Sequence, residues 1–303
     1  MEQLGLQRIG AETFEQKVRI GYTVELAYQV DSPAEFIFNL HAARTPQQRV
    51  VAESFAVTPQ VPVTFEDEPA NGNRLARLSA TPGTLGVRYA GTVEITQHMV
   101  EREHLTATPL ADIPAGALRF LLPSRYCQVD QVQALAWQEF GHLAPGCGQV
   151  DAVCAWVRAR TQFQPGTSGT NTSALETLEH RAGVCRDFAH LTIALLRALN
   201  YPARFVTGVD YGAPASLGPP DFHAYVEAYL GDRWYLFDPT DISPVTGLLR
   251  IGIGRDAADV SFATMFGTVR SGIPRVAFAA AEDPAAGIVR PAPTPFAVST
   301  AVE

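Results

Sequence analysis

The first part of the chain alternates hydrophobic and polar residues in the manner of β-strands. Within residues 18–30, VRIGYTVELAYQV, one parity is apolar throughout: Val18, Ile20, Tyr22, Val24, Leu26 and Tyr28. A period of two places these side chains on one face of a strand. Shorter candidate strands follow at about residues 50–58, 75–80 and 85–97, separated by turn-forming clusters. Several short strands with regular turns favour a β-sandwich over residues 1–125.

One segment interrupts this series. Ser32 is followed by Pro33, where the first residue of a helix would stand, and Glu35 comes three residues after the candidate cap. These are start signals for a helix. The sequence therefore offers a short helix as one interpretation of residues 32–38.

After about residue 125 the hydrophobic period becomes helical. Four helices are predicted: from Asp130 to Phe140 with Gly141 as the stop, from about Val150 to Phe163, from a capping box at Ser173–Glu176 to Gly183, and from about Val184 onward. Beyond Pro202 strands are predicted at 203–209, 222–230 and 233–238, and the segment 260–298 is expected to hold strands and coil. The change of period predicts an α+β protein with two domains, residues 1–125 and 126–303.

Composition and charge exclude several classes of partner. The 303 residues are 47% hydrophobic and 18% charged, as in a globular protein with a sizeable core, and the net charge is −8. Lysine and arginine form no cluster, so no nucleic-acid partner and no membrane partner are expected. The N-terminus shows no signal-peptide pattern, and no window reaches 18 apolar residues. The four cysteines form no CxxC pair, so no metal site is predicted, and few cysteines fit a reducing cytoplasm.

Cys185 stands at the start of the fourth predicted helix, two residues after Gly183, which is predicted to allow the sharp reversal between this helix and the preceding one. Helical spacing places it on the apolar face, in the first turn. The free N–H groups and the positive end of the helix dipole at that turn stabilise a thiolate, which is the nucleophilic form of cysteine. The alternative is a buried structural cysteine, which is the common state of a free thiol. The remaining three cysteines, Cys127, Cys147 and Cys154, are assigned no chemistry.

A thiol nucleophile needs a base, and two histidines come into question. His190 lies about 140° around the helix from Cys185, so it shares no face with the thiol. His223 begins an alternating strand that is followed by the turn Gly231-Asp232. If that hairpin pairs Leu230 with Arg233, Asp238 lies on the same face as His223, one diagonal step away.

A shift of one residue in this register would move Asp238 to the opposite face. Taken alone, His223 could equally be a packed strand histidine, and Asp238 an aspartate that ends a strand before Pro239. The coincidence of all three residues favours a catalytic group.

Three segments carry a resemblance to a known family: residues 183–190 (GVCRDFAH), 221–227 (DFHAYVE) and 234–240 (WYLFDPT). They resemble the three motifs of the transglutaminase-like superfamily, and most closely those of bacterial transglutaminase-like cysteine proteases. The resemblance implies a β-rich N-terminal region followed by a papain-like catalytic core, with helices packed on an antiparallel sheet. It also implies that Cys185 is the nucleophile, His223 the general base and Asp238 the orienting carboxylate.

The resemblance leaves three functions open. The first is a cofactor-independent hydrolase that cleaves peptide or isopeptide amides, with a peptide or protein as substrate. The second is acyl transfer to an amine, and the third is an inactive peptide-binding module. The chain has no recognisable calcium loop, and its core is shorter than in animal-type transglutaminases, which favours hydrolysis.

Residues around this group have two interpretations each. Asp187 could tune the site or serve as a first-turn acid that the helix dipole favours. Arg186 could bind a carboxylate of the substrate or form an ordinary ion pair. The loops 164–172 and 210–220 are expected to form the rims of a cleft.

Overall fold

A computed structural model describes residues 7–8, 13–69 and 71–302. The α-helices are Ala115–Leu118 (α1), Val129–Phe140 (α2), Cys147–Arg160 (α3), Ala174–His180 (α4) and Cys185–Ala198 (α5). The strands are Gln7–Arg8 (β1), Thr13–Val30 (β2), Ala34–Phe38 (β3), Gln48–Thr58 (β4), Thr64–Asp67 (β5), Arg74–Ala80 (β6), Gly83–Glu101 (β7), Gln162–Phe163 (β8), Ala182–Gly183 (β9), Ala203–Asp210 (β10), His223–Leu230 (β11), Arg233–Phe237 (β12), Leu248–Gly254 (β13), Ala263–Phe266 (β14), Val269–Ser271 (β15), Arg275–Ala281 (β16), Ile288–Val289 (β17) and Phe296–Val302 (β18). Short 3₁₀ turns lie at Arg102–His104, Leu110–Asp112, Arg119–Leu121, Ala215–Leu217, Val245–Gly247 and Pro284–Ala286.

The N-terminal region is a sandwich of two sheets. The long strands β2 and β7 pair antiparallel over their whole length, and the predicted apolar parity of β2 is buried. A second sheet in the order β14-β3-β6-β5 packs against them. The ring of Tyr28 lies 5.2 Å from Phe36 and 5.9 Å from Phe38, which ties the two sheets together. The predicted N-terminal β-sandwich is therefore present.

The second half of the chain packs helices on an antiparallel sheet. Strands β12-β11-β10-β13 lie side by side, and α5 packs on one face of them through its apolar stripe. A separate apolar cluster around Tyr225 and Val206 covers the other face. Both faces are covered, so β10 and β11 are buried at every position. This arrangement agrees with the predicted α+β class.

The strand pairings cross the predicted domain boundary. β18 lies between β7 and β12, so one continuous sheet joins the N-terminal sandwich to the second half. Strands β14 to β17 return to pair with β3 and β2. The division at residue 125 stays a prediction about folding units, while the segment 263–289 lies with the sandwich.

Several predicted element bounds are corrected. Residues 34–38 form strand β3 rather than the start of a helix, because they pair with β6 and β14 on either side. Helix α3 begins at Cys147 and ends at Arg160. Helix α2 begins at Val129, so Asp130 lies in its first turn rather than at its cap.

No helix in the described part of the chain is long and apolar enough to cross a membrane.

Candidate active site

Cys185 is the first residue of α5 and is partly exposed. The preceding residue, Val184, caps the helix in an extended conformation, and its N–H donates to Oδ2 of Asp187 at 2.8 Å. From Asp187 to Ala198 the helix is fully buried. The thiol therefore stands at the accessible N-terminal end of an otherwise enclosed helix, where the first backbone N–H groups lack intrahelical acceptors.

Gly183 has a different role from the one predicted. It lies in strand β9, and the chain reversal is made two residues earlier by Arg181, which adopts φ +55° after α4 ends at His180. A Cβ on Gly183 would lie 2.7 Å from Cβ and 2.8 Å from Oδ2 of Asp187. Glycine is needed here because the capping carboxylate of Asp187 occupies the space of a side chain.

Asp187 and Arg186 have structural partners. The Asp187 side chain is fully buried, and its Oδ1 lies 3.2 Å from Nη2 of Arg186. Nη2 of Arg186 also donates to the carbonyl of Gly169 at 2.6 Å. The ion-pair interpretation of Arg186 and the first-turn interpretation of Asp187 therefore fit the structure. The same contacts place the loop 164–172 beside the start of α5.

The hairpin of β11 and β12 has the predicted register, with Leu230 opposite Arg233. Nε2 of His223 consequently lies 3.1 Å from Oδ2 of Asp238. Thr240 holds the other carboxylate oxygen, since its N–H and its hydroxyl donate to Oδ1 at 2.9 and 2.6 Å. The carboxylate is thus fixed from two sides, and it fixes the orientation of the imidazole.

His223 and Asp238 each stabilise the charged form of the other. Burial disfavours the imidazolium form of His223, yet the Asp238 carboxylate and a hydrogen bond with the Cys185 thiol outweigh it and raise the pKa of His223 well above its ordinary value. Burial disfavours the charged form of Asp238 as well, but His223 and the Thr240 donors lower the pKa of that carboxyl. An imidazolium next to a thiol is the arrangement that generates a thiolate.

Sequence reasoning missed Asp210, the last residue of β10. Its Oδ2 lies 3.9 Å from Nδ1 of His223, the ring nitrogen that does not face Asp238. In the pairing of β10 with β11, Gly208 lies opposite His223, which brings Asp210, two residues further along β10, beside the histidine. Only the pairing of the two strands shows that Asp210 falls beside the histidine.

The other candidates lie apart from this group. His190 is fully buried, its ring stacks 4.9 Å from that of Tyr126, and its Nε2 accepts the N–H of Ala257 at 3.2 Å. His190 thus has partners other than Cys185, in keeping with its predicted place on another face of α5. Cys127, Cys147 and Cys154 are buried, and burial raises the pKa of Cys127 and of Cys147 to about 12.

One cluster in the described ranges has the composition of a metal site. Glu101, Glu103 and His104 bring their ligand atoms within 4.8 Å of one another at the surface. Exposed clusters of this kind are common without an ion, and this one shares no residue with the group around Cys185.

Two family profiles match the chain. That of the transglutaminase-like superfamily core matches residues 133–239, and that of the bacterial transglutaminase N-terminal domain matches residues 18–116. A crystal structure named "a Putative Cysteine Protease from Cytophaga hutchinsonii" superposes with a TM-score of 0.88, at 38% identity over 95% of this chain and 99% of that one. This likeness covers both the β-rich region and the region that holds Cys185, His223 and Asp238.

Mycobacterial relatives share a shorter segment. An uncharacterised protein of Mycobacterium leprae (strain TN) is 38% identical over 117 residues, which are 37% of this chain and 42% of that protein. An uncharacterised protein of Mycobacterium tuberculosis (strain H37Rv) is 33% identical over 109 residues, which are 32% and 35% of the two chains. The matches thus span less than half the length of these curated relatives.

Proposed function

The chain belongs to the transglutaminase-like superfamily, and from this we propose that it is a cysteine hydrolase that cleaves peptide or isopeptide amide bonds. The observation that carries the proposal is the contact of Cys185, at a helix N-terminus, with a histidine whose Nε2 lies 3.1 Å from Asp238. The relative from Cytophaga hutchinsonii that is named "a Putative Cysteine Protease" is in keeping with hydrolysis.

In the proposed reaction the Cys185 thiolate attacks the carbonyl carbon of the amide. N–H groups at the start of α5 stabilise the resulting oxyanion. The imidazolium of His223 gives its proton to the leaving nitrogen, and a thioester remains on Cys185. His223, now neutral, takes a proton from water, which attacks the thioester and releases the acid.

Asp238 acts in this scheme by holding the imidazole and stabilising its charged form, as the carboxylate does in other triads. We propose a peptide or protein as the substrate. We also propose the cytoplasm as the location, with which four unpaired thiols are compatible.

Alkylation and turnover together test the assignment. We expect iodoacetamide at neutral pH to modify Cys185 first, because the three buried thiols are inaccessible and protonated. Cys185→Ala should abolish hydrolysis of a quenched-fluorescence peptide library, and Cys154→Ala, the matched control, should keep it. Equal labelling of all four cysteines, or activity in Cys185→Ala, would contradict the proposal.

The same assay distinguishes the two acyl-transfer outcomes. The library is incubated with and without a fluorescent primary amine, and products are identified by mass. Release of free acid in the presence of the amine supports a hydrolase. Exclusive formation of the amine adduct would contradict hydrolysis and would indicate a transferase that uses the same three residues.

A further inference from the structure

Asp210 is a buried carboxylate that the proposed mechanism does not use. The residue is 5% exposed, and its Oδ2 has no hydrogen-bond partner. The hydroxyl of Ser243, which lies beside this carboxylate and is 7% exposed, also lacks a partner of normal geometry. A buried polar atom left unpaired costs stability, so two adjacent ones indicate a site that a ligand completes.

The position of Asp210 follows from the sheet. Gly208 pairs with His223, and Asp210 lies two residues further along β10. Side chains two residues apart in a strand lie on the same face, so the carboxylate of Asp210 lies on the same face of the sheet as the imidazole of His223. Because Gly208 has no side chain, nothing on β10 stands between His223 and Asp210. A side chain could not be accommodated at this position, since a Cβ on Gly208 would lie 2.1 Å from the carbonyl oxygen of Leu249.

The carboxylates of Asp238 and Asp210 lie near different nitrogen atoms of the His223 imidazole. Asp238 contacts Nε2 at 3.1 Å, whereas Oδ2 of Asp210 lies 3.9 Å from Nδ1. The second distance is too long for a hydrogen bond. Nδ1 is the nitrogen left to exchange protons with the thiol and the substrate. A nitrogen atom that takes the proton from Nδ1 lies about 3 Å from it, which puts its remaining hydrogens near Asp210.

We propose that Asp210 and Ser243 form a subsite for the leaving nitrogen, and that this subsite selects amides whose leaving nitrogen carries hydrogen and departs as a primary amine. The inference rests on the proposed function. Asp210 accepts an N–H of the leaving group, and Ser243 orients the carboxylate or accepts a second N–H.

The step balances with the groups present. The Cys185 Sγ–C bond has formed, and the tetrahedral intermediate collapses as the oxyanion restores the C=O bond. The C–N bond breaks, and the nitrogen keeps the bonding pair and takes the Nδ1 proton of His223. A neutral imidazole, a thioester and an amine remain, with the amine held by Asp210.

The electrostatic environment agrees with a cationic or N–H-bearing occupant. Burial and the neighbouring Asp238 raise the pKa of Asp210, while His223 and the hydroxyl of Ser243 oppose this. A bound ammonium group would compensate both causes of the shift.

Two measurements test the subsite. The first compares kcat/KM for a p-nitroanilide and a p-nitrophenyl ester of the same acyl dipeptide, since only the anilide has a leaving N–H. We expect Asp210→Asn to lower the anilide-to-ester ratio about 10- to 100-fold, the effect of losing a hydrogen bond to a charged group. Asp241→Asn is the matched control, because Asp241 is exposed, pairs with Arg158, and has a left-handed φ that asparagine accepts.

The second measurement needs no turnover. Calorimetry compares benzylammonium with benzyltrimethylammonium, which has the charge but no N–H, on wild type and on Cys185→Ala. We expect benzylammonium to bind at least about 10-fold more tightly to both proteins, since only it can donate to the carboxylate. Equal binding of the two ions would overturn the subsite.

The outcomes separate the two proposals. An equal loss of anilide and ester activity in Asp210→Asn would overturn the subsite and leave the hydrolase intact, because Asp210 would then act through His223. Hydrolytic activity in Cys185→Ala would contradict the proposed cysteine hydrolase. The binding comparison would still decide whether an amine site exists beside His223.

Discussion

At the scale of single residues, the charge of His223 depends on a balance between burial and its neighbours. Burial favours the neutral ring, and the Asp238 carboxylate together with Cys185 reverses this. The same carboxylate could be found from the sequence, because the hairpin turn fixed the register. Asp210 could not, since the long loop 211–222 between β10 and β11, unlike a two-residue turn, does not fix the register of the two strands.

Removing the carboxylate should shift the pH profile of the reaction. In Asp238→Asn the pKa of His223 falls, so the imidazolium that protonates the leaving nitrogen is lost at lower pH. We expect the alkaline limb of kcat/KM to move to lower pH by about one to two units, with activity lowered about 10²- to 10⁴-fold. An unchanged alkaline limb would mean that Asp238 does not act through His223.

His41 gives the sandwich a pH-dependent stability. It is buried against Phe55, Phe65 and Tyr89, and burial together with Arg74 lowers its pKa from 6.5 to about 4. The unfolded chain therefore takes up a proton at a pH where the folded protein does not. The contribution of His41 is fully present above pH 6.5 and decreases as the pH falls from 6.5 to about 4.

Substitution of His41 by phenylalanine should flatten this dependence. Between about pH 7 and pH 4.5, the free energy of unfolding of wild type should lose about 2 kcal/mol that His41→Phe keeps. Urea denaturation at the two values measures the difference. His180→Gln, a change at an exposed histidine, serves as control and should behave as wild type.

At the scale of elements, the start of α5 depends on a glycine that faces a carboxylate. Local capping signals identified the helices, yet the function of Gly183 could not be predicted, because it depends on where Asp187 lies in space. The strand β3 likewise carries helix-start signals that its two neighbouring strands override.

Gly183→Ala should therefore damage the site from a distance. Its Cβ would displace Asp187 and with it the cap that presents Cys185. We expect a loss of about 1–3 kcal/mol in the free energy of unfolding and slower alkylation of Cys185. Gly148→Ala is the control, because nothing lies within 4 Å of that Cβ in α3, and it should be neutral or slightly stabilising. A normal alkylation rate in Gly183→Ala would refute this account.

At the scale of the whole molecule, side chains of the N-terminal sandwich supply hydrogen bonds to the edge strand of the sheet in the second half of the chain. Asn73 pairs with the backbone of Ile253 on the edge strand β13, through contacts of 2.8 and 2.9 Å. Gln48 similarly bonds the N–H of Arg250 at 3.0 Å and its carbonyl at 2.8 Å. These side chains cover a sheet edge that would otherwise be open to another chain.

The fragment 126–303 should therefore fail to fold by itself. Strands β14 to β17 would lose their partners β3 and β2, and the edge of β13 would be exposed. We expect aggregation and no selective alkylation of Cys185, whereas the full chain remains monodisperse. A fragment that unfolds cooperatively with a reactive Cys185 would instead support the division at residue 125.

The sequence by itself determined most of the helices and strands and the relation of His223 to Asp238, because helical and strand periods, caps and a two-residue turn are local. Only the tertiary structure decided how the strands pair: β18 lies between β7 and β12, β14 to β17 lie with the sandwich, and the register of β10 on β11 places Asp210 next to His223. The physical reason is that strand pairing depends on which arrangement buries whole apolar faces and covers the sheet edges. Alternative pairings differ in contacts between segments far apart in the chain, and a short stretch of sequence does not contain those contacts.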